Sequence, residues 1–248
     1  MSLKLLYGFH AVSARLRAAP QSVHELLVDT TRHDARMQQF VARAQESGRA
    51  IIATDGARLD ALAGTRRHQG VVARVEPLDK LSTLDAVLDA IVDVPLVLGL
   101  DGVTDPHNLG AILRTADAAG VHAVFAPKDR AVGLTPVVAK VASGAADTMQ
   151  YIMVTNMART LAALRERSVW VVGTAGETPE SLYAADLRGP TALVLGAEGS
   201  GMRRLVREGC DQLVHIPMAG SVESLNVSVA AGVCLFEAVR QRLGPCAG

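Results

Sequence analysis

The sequence predicts an α/β protein of two domains, the second built on a parallel sheet covered by helices on both faces. Three observations predict this. From Pro95 onward, short continuous apolar runs such as PLVLGL (95–100) and TALVLG (191–196) alternate with longer amphipathic stretches, the pattern of strands buried between helices. Residues 1–75 carry a separate, shorter strand–helix alternation. The segment between them, 76–93, reverses the charge: residues 1–75 hold eleven Lys and Arg against six Asp and Glu, whereas 76–93 holds one against five. With thirteen against fourteen in 94–248, a formal net charge of zero hides a basic front, as expected of a domain that meets a polyanion.

Within 1–75, Val12 and Leu16 of GFHAVSARLRA (8–18) stand four apart, as on a short amphipathic helix. HELLVDT (24–30) reads as a strand. DARMQQFVARAQESG (34–48) places Met37, Phe40, Val41 and Ala44 on one helical face and stops at Gly48. AIIAT (50–54) is a strand, ARLDALAG (57–64) a helix and GVVARVEP (70–77) a closing strand. The connection GTRRHQG (64–70) is polar and basic, and reads either as a solvated loop or as a phosphate contact through Arg66, Arg67 and His68.

The acidic linker 76–93 carries Leu84, Val87, Leu88 and Ile91 at helical spacing, so it is expected to contain a helix. In the second domain, 94–248, strands are expected at 95–101, 122–127, 151–155, 169–175, 191–196 and 211–217. Helices are expected at 108–120, ended by Gly120, at 135–145, with Pro136 in its first turn, at 156–167 and from Leu225 to Arg242. The loops after 196 and 217 then sit at carboxyl ends of strands, where open α/β sheets bind ligands.

Composition narrows the class. A chain of 248 residues with 49% hydrophobic and 20% charged residues is that of an ordinary folded protein, and no apolar run approaches the roughly 18 residues that cross a bilayer. The front has no acidic residue before Glu25 and carries Lys4, Arg15 and Arg17, as transit peptides do, yet it also reads as the strand–helix start of a folded domain. Cys210, Cys234 and Cys246 lack C-x-x-C spacing and are too few for a disulfide framework. A reducing cytoplasm is therefore expected, with Cys234 as a buried apolar filler.

Common signatures fail. GSGMRR (199–204) begins like G-x-G-x-x-G but has Arg204 at the third glycine, and no P-loop, H-E-x-x-H or G-x-S-x-G occurs. What remains is a set of glycine-rich turns with Asn108, Arg114, Glu198, Ser224 and Asn226. Gly196, Gly199 and Gly201 allow close backbone approach and positive φ, which suits a cleft for an adenosine-bearing cofactor. Singly, each polar residue also has a plain reading: Asn108, Ser224 and Asn226 as helix caps, Arg114 as a surface charge, Glu198 as a loop carboxylate.

In combination, NLGAILR (108–114), GAEGSGM (196–202) and IPMAGSVESLNVSVA (216–230) resemble, in type, order and spacing, the three motifs of the SpoU branch of the SPOUT RNA methyltransferases. The resemblance runs along essentially the whole chain, through YGFHAV (7–12), HQGVVARV (68–75), DGVTDPHNLGA (101–111) and GMRRL (201–205), and points to the bacterial members that methylate a guanosine ribose of 23S rRNA. It implies an RNA-binding domain similar to ribosomal protein L30e at 1–75, and a catalytic domain with a deep trefoil knot, a feature that strand–helix patterning does not reveal. It also implies S-adenosyl-L-methionine as cofactor, lined by Gly196, Ile216 and Leu225, and a homodimer whose active site uses both subunits. The apolar stripe Leu225, Val229, Val233 and Phe236 is then expected in the core or against a partner.

The implied reaction is attack of a ribose 2′-hydroxyl on a sulfonium methyl, for which no metal is required. The site must orient a poor nucleophile, an effect worth up to roughly 7–11 kcal/mol in model reactions. Arg114 is read as the cation that stabilises the developing alkoxide and binds the adjacent phosphate, since a guanidinium stays protonated above about pH 12. The proton passes to that phosphate, to water or to a transiently neutral Arg114. Glu198 is read as orienting Arg114 or the cofactor, Ser224 and Asn226 as holding the ribose, the cofactor carboxylate or the loop, and Asn108 as bonding Arg114 or RNA. Alternatives are the same chemistry on transfer RNA or another rRNA nucleotide, and a non-catalytic RNA-binding or ribosome-assembly factor.

Overall fold

A computed structural model describes residues 3–78 and 80–244, so Cys246 lies outside the described residues. The chain forms two compact units, Met1–Asp79 with Ser143–Thr148, and Lys80–Ala142 with Met149–Gly248.

The first unit runs β1 (Lys4–Tyr7), α1 (Phe9–Ala18), β2 (Val23–Asp29), α2 (Ala35–Glu46), β3 (Ile51–Thr54), α3 (Gly56–Ala63) and β4 (Val71–Val75). Its sheet has the order β1-β4-β2-β3, with β4 antiparallel to both neighbours and β2 parallel to β3. Side chains alternate across a strand, so Leu26 and Val28 face the core with Phe9, Val12, Met37 and Phe40, while Leu27 meets Leu59 of α3 on the other face. Asp34 and Asp55 cap α2 and α3 through the amides of Met37 and Arg58. Gly48, at φ 71, follows the end of α2 as the stop that its sequence predicts. Arg15, one of the charges that make the front look like a transit peptide, is buried and donates to Ser22 Oγ and the Glu76 carbonyl.

The second unit contains α4 (Leu84–Ala90), β5 (Leu96–Asp101), α5 (Pro106–Ala118), β6 (Ala123–Pro127) and α6 (Pro136–Val141). After α7 (Ala145–Thr148), which groups with the first unit, come β7 (Gln150–Val154), α8 (Met157–Glu166), β8 (Trp170–Thr174), β9 (Thr191–Gly196), α9 (Arg204–Glu208), β10 (Gln212–Val214) and α10 (Val227–Leu243). The six strands are all parallel, in the order β10-β8-β9-β5-β6-β7. Leu84, Val87, Leu161 and Leu164 of α4 and α8 cover one face. On the other, α10 packs on α5 and β9, burying Leu109, Ile112, Leu113, Ala231 and Leu235. Gly99 is required in β5 because a Cβ there would lie 2.8 Å from the Phe125 ring. Cys234 is fully buried, and burial pushes its thiol up to about 12.

Several elements differ from their sequence-based bounds. The helix expected over 135–145 ends at Val141, because Ser143 (φ 52) and Gly144 (φ 100) turn left-handed. The strand expected over 211–217 joins the sheet only over Gln212–Val214, with His215 making an isolated bridge to Ser181, and α9 has too few residues to show a period. Among the described residues no helix is long and apolar enough to cross a membrane.

Candidate active site

Strand order places the site. From β5 the chain runs through β6 to β7 on one side, while β9 pairs with β5 on the other; the crevice beyond the carboxyl ends of two such strands is the ligand position of an open α/β sheet. A cleft of about 570 Å³ lies beside that point, beyond the carboxyl ends of β8, β9 and β10, and Gly196, Glu198, Ile216, Ser224 and Leu225 all line it. A second cavity, of about 620 Å³, lies around Leu96, His122 and Arg242. Arg242 there spends its guanidinium on the carbonyls of Val94, Pro95, Leu187 and Gly189, and Arg188 pairs with Asp186, so both arginines of that cavity already have partners.

Glu198 is the hub of the cleft. Its Oε1 accepts hydrogen bonds from Asn108 Nδ2 at 3.2 Å, Asn226 Nδ2 at 2.7 Å and the Val227 amide at 3.0 Å. Asn226 Nδ2 also donates to Asn108 Oδ1 at 3.0 Å. Three separated segments are thereby tied to one carboxylate. Asn226 caps α10 as well, its Oδ1 accepting from the Ser228 amide. Asn108 is not the cap of α5: Asp105 accepts from the amides of His107 and Asn108, which leaves the Asn108 side chain free to reach Glu198.

Arg114 stands apart from this network. It is exposed on α5, about 9 Å along the axis from Asn108 and roughly a third of a turn round it. Neither the Glu198 nor the Asn108 side chain bonds it; those side chains bond each other, Asn226 and the Val227 amide. Among the described residues its guanidinium has no hydrogen-bond or ion-pair partner, and it is exposed to meet a ligand.

The glycines have distinct reasons. Gly199 (φ 77) and Gly201 (φ 63) take the left-handed conformation. Gly196 does not; a Cβ there would lie 2.1 Å from the Gly201 carbonyl carbon and 2.2 Å from the Met202 nitrogen. The loop folds back on its own strand, closed by paired hydrogen bonds between Ala197 and Gly201. Close approach at Gly196 is therefore by backbone of the same chain.

Sequence reasoning missed Asp101. Its fully buried carboxylate accepts from the Arg203 amide at 2.8 Å and Nε at 2.7 Å, and pairs with the guanidinium at 2.6 Å. The available signal was an acid ending an otherwise apolar strand, PLVLGLD.

In the first unit, Arg66 and Arg67 are exposed, Arg66 with 93% of its side chain open to solvent and only a long 3.6 Å approach to Asp60. His68 is buried instead. Its Nδ1 accepts from the Gly70 amide at 3.0 Å, so the ring proton sits on Nε2, 2.9 Å from Asp60 Oδ1. It holds the turn and presents no free nitrogen to RNA. The same turn holds a further basic group, its Gln69 carbonyl accepting from Arg32 at 2.7 Å; Arg32 and Arg36 lie 5.5 and 4.7 Å from the Phe9 ring centroid. Arg36 also donates to His10 Nε2 at 3.0 Å.

Residues 95–236 match the model of the SpoU rRNA methylase family, and residues 5–81 match that of the RNA 2′-O ribose methyltransferase substrate-binding domain. The chain is 64% identical to the 23S rRNA (guanosine-2′-O-)-methyltransferase RlmB of Ralstonia nicotianae, over 96% of each chain. It is 60% identical to the protein of that name from Bordetella pertussis, over 98% of this chain and 99% of that one. Among solved structures, it is similar to the SpoU methyltransferase AviRb from Streptomyces viridochromogenes in complex with AdoMet, with TM-score 0.69, 27% identity and coverage of 98% and 92%.

Proposed function

Since the chain belongs to the SpoU rRNA methylase family, we propose that it transfers a methyl group from S-adenosyl-L-methionine to the ribose 2′-hydroxyl of a guanosine in 23S rRNA, in the cytoplasm. The observation that carries this reading is the convergence of Asn108, Glu198 and Asn226 beside a cleft lined by Gly196, Ile216 and Leu225. The same combination argues against the non-catalytic reading.

The cleft suits the cofactor. Ile216 and Leu225 lie on its wall, and among the described residues their backbone amides and carbonyls take no hydrogen bond. Backbone groups on such a half-buried wall are open to a ligand, and the donor and acceptor edge of an adenine matches them. When bound, the cofactor supplies a methyl on a sulfonium, with a neutral thioether as leaving group. Glu198 holds the amino end of α10 and the two asparagines in place, Ser224 bounds the ribose side, and Arg114 binds the phosphate beside the target ribose and stabilises charge developing on its 2′-oxygen. The basic surface with Arg66 and Arg67 supplies salt-dependent RNA affinity, and RNA shape supplies selection. Aromatic residues make up only 3% of the chain, which leaves little for broad base stacking.

The sequence resemblance extends this reading to an L30e-like first domain, a knotted catalytic domain and a homodimer. Support for the dimer comes from α10, where Val229 and Phe236 are half exposed on a face away from the buried Ala231, Cys234 and Ala238; a second copy would cover them. Titration calorimetry with S-adenosyl-L-methionine tests the cofactor reading: binding is expected, and its absence at millimolar cofactor would overturn it.

A further inference from the structure

The loop that carries Glu198 is held at both ends. At its start Gly196 pairs in register with Asp101 of β5, and at its end Arg203 returns to that same aspartate through its backbone amide, Nε and guanidinium. Between these points the backbone of 201–202 passes against Gly196 with no room for a side chain. Asp101 exposes none of its side chain, whereas Arg203 exposes 45% of its own. A buried carboxylate is costly without its cation, so the charge of Asp101 selects the loop position in which Arg203 reaches it. That position places Glu198 Oε1 under Asn226 Nδ2 and the Val227 amide.

We propose that Asp101 and Arg203 form a clasp that positions the Glu198 loop and so builds the cofactor-binding cleft, without either residue touching the ligand. Neither residue lines the cleft, so the effect passes through Glu198. This rests on the cofactor reading of the cleft. Arginine is required rather than any cation: its fork sets Nε and the guanidinium Nη2 on one carboxylate oxygen, Oδ1, while its own backbone amide takes Oδ2 as the chain turns into α9, and a lysine ammonium supplies one point charge.

The test uses the full-length protein, with cofactor affinity read by calorimetry and folding by thermal melting. Arg203→Lys keeps the charge and loses the fork; Asp101→Asn keeps the shape and loses the charge. In Arg203→Lys, the Kd for S-adenosyl-L-methionine is expected to rise about tenfold with a cooperative melt retained, a size typical of second-layer positioning groups. With Glu198→Gln already in place, Arg203→Lys is expected to add less than about twofold, because contacting groups in one network are not additive. Unchanged affinity in both single variants would overturn the clasp, and so would full additivity with Glu198→Gln. Loss of the fold in Arg203→Lys would overturn it too, by making the pair a general stability element. Failure of the unaltered protein to bind the cofactor would instead overturn the reading on which the clasp rests.

Discussion

Asn108, Glu198 and Asn226 lie 90 and 28 residues apart along the chain, yet share one carboxylate oxygen. Their chemical types made them candidates in the sequence, whereas their partners were not legible there. A carboxylate beside an arginine motif reads as its orienter, and only the fold shows that Glu198 serves α10 and the asparagines instead. His68 is the converse case: a histidine in a basic loop reads as a phosphate contact, but its Nδ1 is taken by the Gly70 amide and its Nε2 by Asp60 of α3. Arg114 is left exposed, outside the bonds that join Glu198, Asn108 and Asn226. Arg114→Ala is therefore expected to lower single-turnover methyl transfer about 10²–10³-fold, the effect of removing one donor to a developing oxyanion. Cofactor affinity and melting temperature should stay close to those of the unaltered protein. Near-normal transfer at saturating RNA and cofactor would remove Arg114 from its assigned role.

At the scale of elements, most strands and helices follow from hydrophobic period because β5, β6 and β9 are buried on both faces and α2 and α8 on one. Short or paired features do not. Neither α9, with five residues, nor the bond between Asp101 and Arg203 leaves a periodic trace. Gly196 illustrates the limit: its freedom from a side chain was legible as close approach, but the approaching backbone belongs to residues 201–202. Gly196→Ala is expected to displace that loop and weaken cofactor binding at least about tenfold, while far-ultraviolet circular dichroism stays native; unchanged affinity would show that the crossing can relax. On α10, the outward residues Val229 and Phe236 belong to the stripe whose spacing alone allowed either core or partner. Phe236→Asp is expected to shift the protein from dimer toward monomer in sedimentation velocity, and an unchanged sedimentation coefficient for a dimeric protein would place the interface elsewhere.

At the scale of the whole molecule, the basic excess of the front was legible as a polyanion signal because charge adds without regard to fold. Its distribution was not, since Arg32 reaches the Gln69 turn, and Arg36 reaches His10 and the Phe9 ring, only through tertiary contacts. The double substitution Arg66→Ala and Arg67→Ala is expected to reduce the slope of log affinity against log salt by about 1–2, as loss of two phosphate contacts requires, without altering cofactor affinity; an unchanged slope would take both residues off the RNA surface. The two activities meet in one assay: nucleoside mass spectrometry after the protein and S-adenosyl-L-methionine are incubated with unmodified 23S rRNA and, separately, with unmodified transfer RNA. Formation of 2′-O-methylguanosine in the 23S sample alone is the expected result, whereas methylation confined to transfer RNA, or none in either RNA, would contradict a guanosine-specific 23S rRNA methyltransferase.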